Sequence, residues 1–261
     1  LFKTHHIKEA EKEIIFINEN DIKVSYFQDS DYPERLKHCI DGPIVLFQKG
    51  NIKWDHTPII SIVGTRLPTQ YGKWLTSLIV EQLAPYNPLI ISGLAYGIDV
   101  TAHQTALDCN LQTVGVLAHS LATIYPAAHQ HIAKDIVASG GLLTELSSTA
   151  RIEKFNFPKR NRIVAGLSDA TIVIETETKG GKVHGVILIP SSMDNVETAI
   201  IGSALETIDR IGPCQAKITV IEISDVRATK RSAVVDRAKE LLLQLVNSGE
   251  AASKTVVEEV R

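Results

Sequence analysis

Cysteine is scarce in this chain and what there is lies scattered. Cys39, Cys109 and Cys214 are odd in number and form neither a CxxC pair nor a Cys/His ligand spacing. A disulfide framework and a zinc site are therefore not expected, and the three residues read as packed thiols. Long apolar runs are missing as well. Stretches such as Pro58 to Gly64 and Pro88 to Ser92 are far shorter than the roughly 20 residues a membrane helix needs, and no signal-peptide pattern opens the chain. The expectation is a cytoplasmic protein with no membrane partner. Positive charge is not in excess either: 27 Lys+Arg stand against 30 Asp+Glu, a formal net charge of −3. On the sum alone this argues against a polyanionic partner, since phosphate binding is driven by Lys and Arg releasing counterions.

What is present changes that picture. With 261 residues, 44% of them hydrophobic, the chain can bury the core of one large domain or two small ones. Its charge is unevenly spread. Arg151, Lys154, Lys159, Arg160 and Arg162 crowd one short stretch against the single acid Glu153, a concentrated basic segment in a slightly acidic chain.

Residues 1 to about 19 read as a helix, with apolar positions at Ile7, Ala10, Ile14 and Ile15, and as a candidate remnant of a truncated upstream domain; residues 22 to 50 are mixed. Strand-length apolar runs then alternate with amphipathic helices. Strands are expected at about 58 to 64, 88 to 92, 112 to 118, 141 to 144 and 170 to 175, and helices at 72 to 84, 98 to 109 and 128 to 139. That alternation predicts an α/β fold, a Rossmann-like and mostly parallel sheet with helices on both faces. After Lys179-Gly180-Gly181-Lys182 a β-α-β-α unit follows, with strands at 183 to 189 and 216 to 223 and helices at 195 to 208 and 232 to 246; such a unit could extend the sheet.

Three segments carry chemistry. The first strand runs into Gly64-Thr65-Arg66 ahead of a helix. At the carboxyl end of a parallel strand this arrangement can offer an anion the free N–H groups of the next helix and a forked Arg donor; the same residues also make an ordinary tight turn. A second Gly-rich turn, Ser92-Gly93-Leu94-Ala95-Tyr96-Gly97, follows the next strand, so that two adjacent strand ends suggest a crevice at a topological switch point. Neither turn is a GxGxxG fingerprint, and Gly180-Gly181-Lys182-Val183 is not a Walker A loop. The third segment is Phe155-Asn156-Phe157-Pro158-Lys159-Arg160-Asn161-Arg162. Basic residues interleaved with aromatics can follow a phosphate backbone while offering stacking faces to bases, as single-strand binders do; a solvated charged loop is the plainer alternative. Asp99 and His103, at i and i+4 of one expected helix, are the candidate acid/base pair, although a structural contact explains that spacing equally well. No metal site, cofactor or catalytic constellation is assigned.

The order GTR, SGLAYGIDVTAHQTAL, IYP, GGLLTE and NFPKRNRIVAGLSDATIVIE resembles the Rossmann-like core of the DprA/Smf family of DNA-processing proteins, over about residues 22 to 175. The resemblance implies binding of single-stranded DNA and its transfer to a strand-exchange recombinase, with a homodimer as the usual state. It implies a nucleic-acid site made by Gly64, Thr65, Arg66, Ser92, Gly93, Lys159, Arg160, Asn161 and Arg162. From about 176 to 261 the chain instead resembles the N-terminal region of archaeal DnaG-type primase, ahead of its Toprim domain. The changeover falls near Ile174 to Gly181, the two resemblances joined in one chain. The family's usual last strands are replaced, which bears on the dimer surface, and the Toprim carboxylates are not included, so primer synthesis is not expected. The rival reading is a nucleotide or nucleoside-phosphate hydrolase working through Asp99 or His103, although the PGGxGTxxE motif of related hydrolases is absent. A third makes the C-terminal unit an RNA- or protein-docking element.

Overall fold

A computed structural model of the chain describes residues 4–39, 41–55, 58–178, 181–190 and 219–222. Its centre is a block of five parallel strands: β3 (Ile59–Gly64), β4 (Leu89–Ser92), β5 (Thr113–Val116), β6 (Gly141–Thr144) and β7 (Ala170–Thr178). Their spatial order is β6-β5-β4-β3-β7. Ile60 and Ile62 point to one face of β3 and Ile59 to the other, and all three are buried. A strand apolar on both faces needs a helix layer on each.

Three helices supply the first layer: α3 (Gln70–Leu83), α4 (Ile98–Asp108) and α5 (Gln130–Ser139). Leu75, Ile79 and Val80 of α3 and Ala102 and Ala106 of α4 close over Ile60, Ile62, Ile90, Ile172 and Ile174. On the opposite face α6 (Asn156–Leu167) and the short α2 (Glu34–Lys37) bring Ile163, Val164, Leu167 and Leu36 against Ile59, Leu89, Ile91, Val114 and Leu143. The chain steps outward from β3 to β6 through the first layer. It then returns through α6 to place β7 on the other side of β3. Strand order therefore reverses between β3 and β7, where doubly wound sheets leave a crevice outside the strand ends.

Two antiparallel strands flank the block on either side. The mixed stretch 22 to 50 yields β1 (Lys23–Tyr26) and β2 (Val45–Gly50), with β2 paired to β6. On the far side β8 (Gly181–Pro190) pairs with β7, and β9 (Thr219–Glu222) with β8. β8 and β9 thus extend the same sheet, as the unit after Lys179 was expected to be able to do, and it has nine strands among the described residues. The helices expected at 195 to 208 and 232 to 246, and Cys214, lie outside the described residues. Cys39 and Cys109 are free and partly buried. The N-terminal helix, α1 (Thr4–Glu19), is present, yet Ile7, Ile14 and Ile15 face solvent. Its fixed point is Glu13, whose carboxylate accepts from the Ser148 amide at 2.9 and 3.1 Å.

Candidate nucleic-acid interface

The Gly64-Thr65-Arg66 turn leaves β3 at the reversal of strand order. The Thr65 amide donates to the Glu175 carbonyl of β7 at 3.0 Å, and the Ile98 amide of α4 donates to the Thr65 carbonyl at 3.2 Å. The turn is thereby held to both neighbouring elements, and the Arg66 side chain is directed outward into solvent. Its guanidinium carbon lies 5.1 Å from the centroid of the Phe157 ring, within cation–π range. Phe157 in turn meets Tyr125 edge to face at 5.8 Å. Phe155 and Tyr96, 63% and 48% exposed, add open aromatic surface, Phe155 beside Phe157 in sequence and Tyr96 on the turn that follows β4.

The expected open helix terminus behind this turn is corrected by the structure. At the N-terminus of α3 the Glu175 carboxylate already occupies the anion position. Its Oε2 accepts from the Thr69 amide at 2.8 Å, and its Oε1 accepts from the Thr69 hydroxyl. Thr69 is also the helix cap, its Oγ1 accepting from the Gly72 amide at 3.1 Å. Sequence reasoning passed over Glu175; its one signal was an acid ending the otherwise apolar run Ala170 to Ile174.

The basic-aromatic segment also differs from expectation. Rather than a loop, it forms the first two turns of α6, which tolerate Pro158 because amides in a first turn need no intrahelical acceptor. A helix sorts its side chains by face, and the cations part company. Lys159 is exposed, while Arg160 and Arg162 are buried. Arg160 reaches through the sheet's carboxyl edge, where its Nη1 donates to the Gly93 carbonyl at 2.6 Å and to the Val116 carbonyl. It thus ties the end of β4 to the end of β5. A Cβ on residue 93 would stand 2.1 Å from that guanidinium, so Gly93 gives the arginine its passage. Asn161 Oδ1 accepts from Arg160 Nε at 3.1 Å. Arg162 forks onto Glu145 with bonds of 3.0 and 2.6 Å, and Asp41 lies 3.4 Å from its Nε. Ser92 is buried too, its hydroxyl donating to the Ile62 carbonyl at 2.5 Å.

Asp99 and His103, the candidate acid/base pair, do not meet. Asp99 accepts from the Ala95 amide at 3.3 Å and lies 3.9 Å from Arg160. Burial raises its pKa, with the Arg160 charge acting against that. Burial also lowers the pKa of Arg160, which keeps its charge because arginine does not lose its proton in proteins. His103 faces away, with Nδ1 2.7 Å from Thr113 Oγ1. That hydroxyl donates to the Ile90 carbonyl, so it accepts from the imidazole, and Nε2 carries the bare lone pair. Burial first, then Arg160 and His129, pull the His103 pKa down to about 3. The ring is neutral, and its Nε2 has no hydrogen-bond partner among the described residues.

The family model for DNA recombination-mediator protein A matches residues 23–197. The chain belongs to that family. Among curated relatives, this DNA recombination-mediator protein A family member is 39% identical over 175 residues to the Smf protein of Synechocystis, an alignment covering 64% of this chain and 44% of that protein. A separate similarity joins it to the DnaG primase of Pyrococcus furiosus, 59% identical over 90 residues, or 34% of this chain and 20% of the primase. The chain therefore spans less than half the length of both. Among solved structures, the DprA of Streptococcus pneumoniae superposes with a TM-score of 0.64 at 25% identity, over 94% of this chain and 75% of that one. The DprA of Helicobacter pylori, solved for its single-stranded DNA binding mode, gives 0.54 at 31% identity over 60% and 71%.

Proposed function

We propose that the carboxyl edge of the sheet binds single-stranded DNA, in a DNA-processing role of the DprA type that delivers the strand to a recombinase. The observation that carries this reading is Arg66, held out in solvent over the Phe157 ring with Tyr125 packed behind it. A cation beside a half-exposed aromatic ring meets phosphate and base together, which is what a single strand offers. The Helicobacter pylori relative, described by its single-stranded DNA binding mode, supports the choice of ligand.

Within the site Arg66 and Lys159 meet phosphates. Arg160 and Arg162, with Asn161, Ser92 and Gly93, hold the strand ends and α6 in register, and Gly64 and Thr65 set the exit of Arg66. Binding is the activity, and Asp99 and His103 serve the packing of this edge rather than catalysis. A homodimer in the cytoplasm is part of the same proposal. The test is fluorescence anisotropy of a labelled oligothymidylate over a salt series. Binding weakens steeply as salt rises, and Arg66→Ala weakens it for all sequences while reducing the salt slope by about 1. Phe157→Ala costs about 1–3 kcal/mol of binding energy. Binding indifferent to salt and to both substitutions overturns the reading.

A further inference from the structure

Glu175 occupies an uncommon position. It sits in β7 opposite a β-bulge of β8, where positions 184 and 185 face the single position 175 between the pairs Ile174–Val186 and Thr176–Val183. Its φ is +49°, a left-handed conformation that non-glycine residues adopt at a cost of order 1 kcal/mol. The residue is 5% exposed. Its carboxyl carbon lies 2.5 Å from where a Cβ on residue 72 would stand, so only glycine there leaves room. A bulge, a left-handed residue and a glycine together put one carboxylate on the Thr69 amide and hydroxyl, at the one place where strand order reverses. In a doubly wound sheet a ligand phosphate takes that place.

We propose that Glu175 is a specificity-determining residue: its carboxylate fills the phosphate position at the start of α3 and bars mononucleotides from the crevice. Phosphates are then met only outside it, at Arg66, where a strand can lie across the aromatic faces. The exclusion rests on the geometry of Glu175 alone; its benefit to a polymer ligand rests on the function proposed above.

The experiment uses the full chain with adenosine 5′-monophosphate and inorganic phosphate as probes, followed by calorimetry and by phosphorus NMR. Glu175→Gly removes the carboxylate and suits the left-handed backbone, while Glu175→Gln keeps the shape and removes the charge. Expected is a gain in affinity for both probes of roughly tenfold or more in Glu175→Gly, equivalent to about 1.4 kcal/mol, with a smaller gain in Glu175→Gln. If the glycine variant fails to fold, the glutamine variant carries the test. Wild-type chain that binds adenosine monophosphate as tightly as the folded variants overturns the proposal. So does the absence of any gain in both. Oligothymidylate binding, read in parallel on the wild-type chain, reports separately on the proposed function: its absence sinks that reading while leaving the mononucleotide result intact.

Discussion

Water reaches Arg66 freely and scarcely touches Arg160, so the two arginines answer differently to removal. Arg160→Ala strands the Gly93 and Val116 carbonyls and deprives buried Asp99 of the cation that acts on it most strongly. A loss of about 3 kcal/mol or more of folding stability is expected, measured by urea unfolding. Arg66→Ala changes stability by less than about 0.5 kcal/mol and shows its effect in the salt dependence of binding instead. A cluster of basic letters could not have told these residues apart, because a charge count carries no direction; Arg160 shares the inner face of α6 with Ile163, Val164 and Leu167, whereas Arg162 lies nearly opposite it around the helix and is buried by Glu145 and Asp41. Arg66 was legible because a Gly-Thr-Arg turn after a buried strand has one way out. Glu175 was not, since its role depends on Thr69 and Gly72, more than 100 positions away in the chain.

At the level of elements, the parallel block was readable because each strand is a short apolar run closed by a helix. Ile90, Val114, Leu143 and Ile172 fell inside expected strands and are buried. Less readable were β1 and β2, whose alternation is broken: β1 runs Lys-Val-Ser-Tyr with only its serine buried, so its pairing with β2, not its pattern, makes it a strand. β8 was expected as a strand at 183 to 189 and is one over Gly181–Pro190; only its partner went unnamed by the sequence. Its antiparallel register with β7, from Ala170 opposite Pro190 to Thr178 opposite Gly181, has a measurable consequence. In native-state hydrogen exchange, β8 amides that bond to β7 are expected to be protected to the same degree as their β7 partners and to open with them. Exchange of β8 as a separate, earlier-opening unit would count against a continuous sheet.

For the molecule as a whole, the buried imidazole of His103 couples stability to pH. Its folded pKa of about 3 lies below the ordinary 6.5, so below about pH 6.5 the unfolded chain binds a proton that the native chain does not. The His103 contribution is complete above the unfolded value and is lost as pH falls from about 6.5 toward 3, by about 1.4 kcal/mol per pH unit. Asp99 acts in the opposite sense, its raised pKa letting the native state hold a proton where the unfolded chain has released it. Comparing wild type with His103→Asn, in which Asp99 is common to both, isolates the histidine. Between about pH 7 and about pH 5 the wild-type urea midpoint is expected to fall further than that of the variant, by a free-energy difference of about 2 kcal/mol.

The antiparallel pairs β1-β2 and β8-β9 enclose the parallel block from its two sides, while the turns bearing Arg66 and Gly93 leave it from the ends of its inner strands. Lateral borders and ligand-bearing rim are different boundaries of one sheet, and they meet at few residues. Strands along the lateral border can therefore differ while Arg66, Phe157 and Arg160 keep their places at the inner strand ends. Glu175 belongs to both boundaries: its strand β7 pairs with β8 of the border, and its carboxylate reaches the start of α3 at the rim.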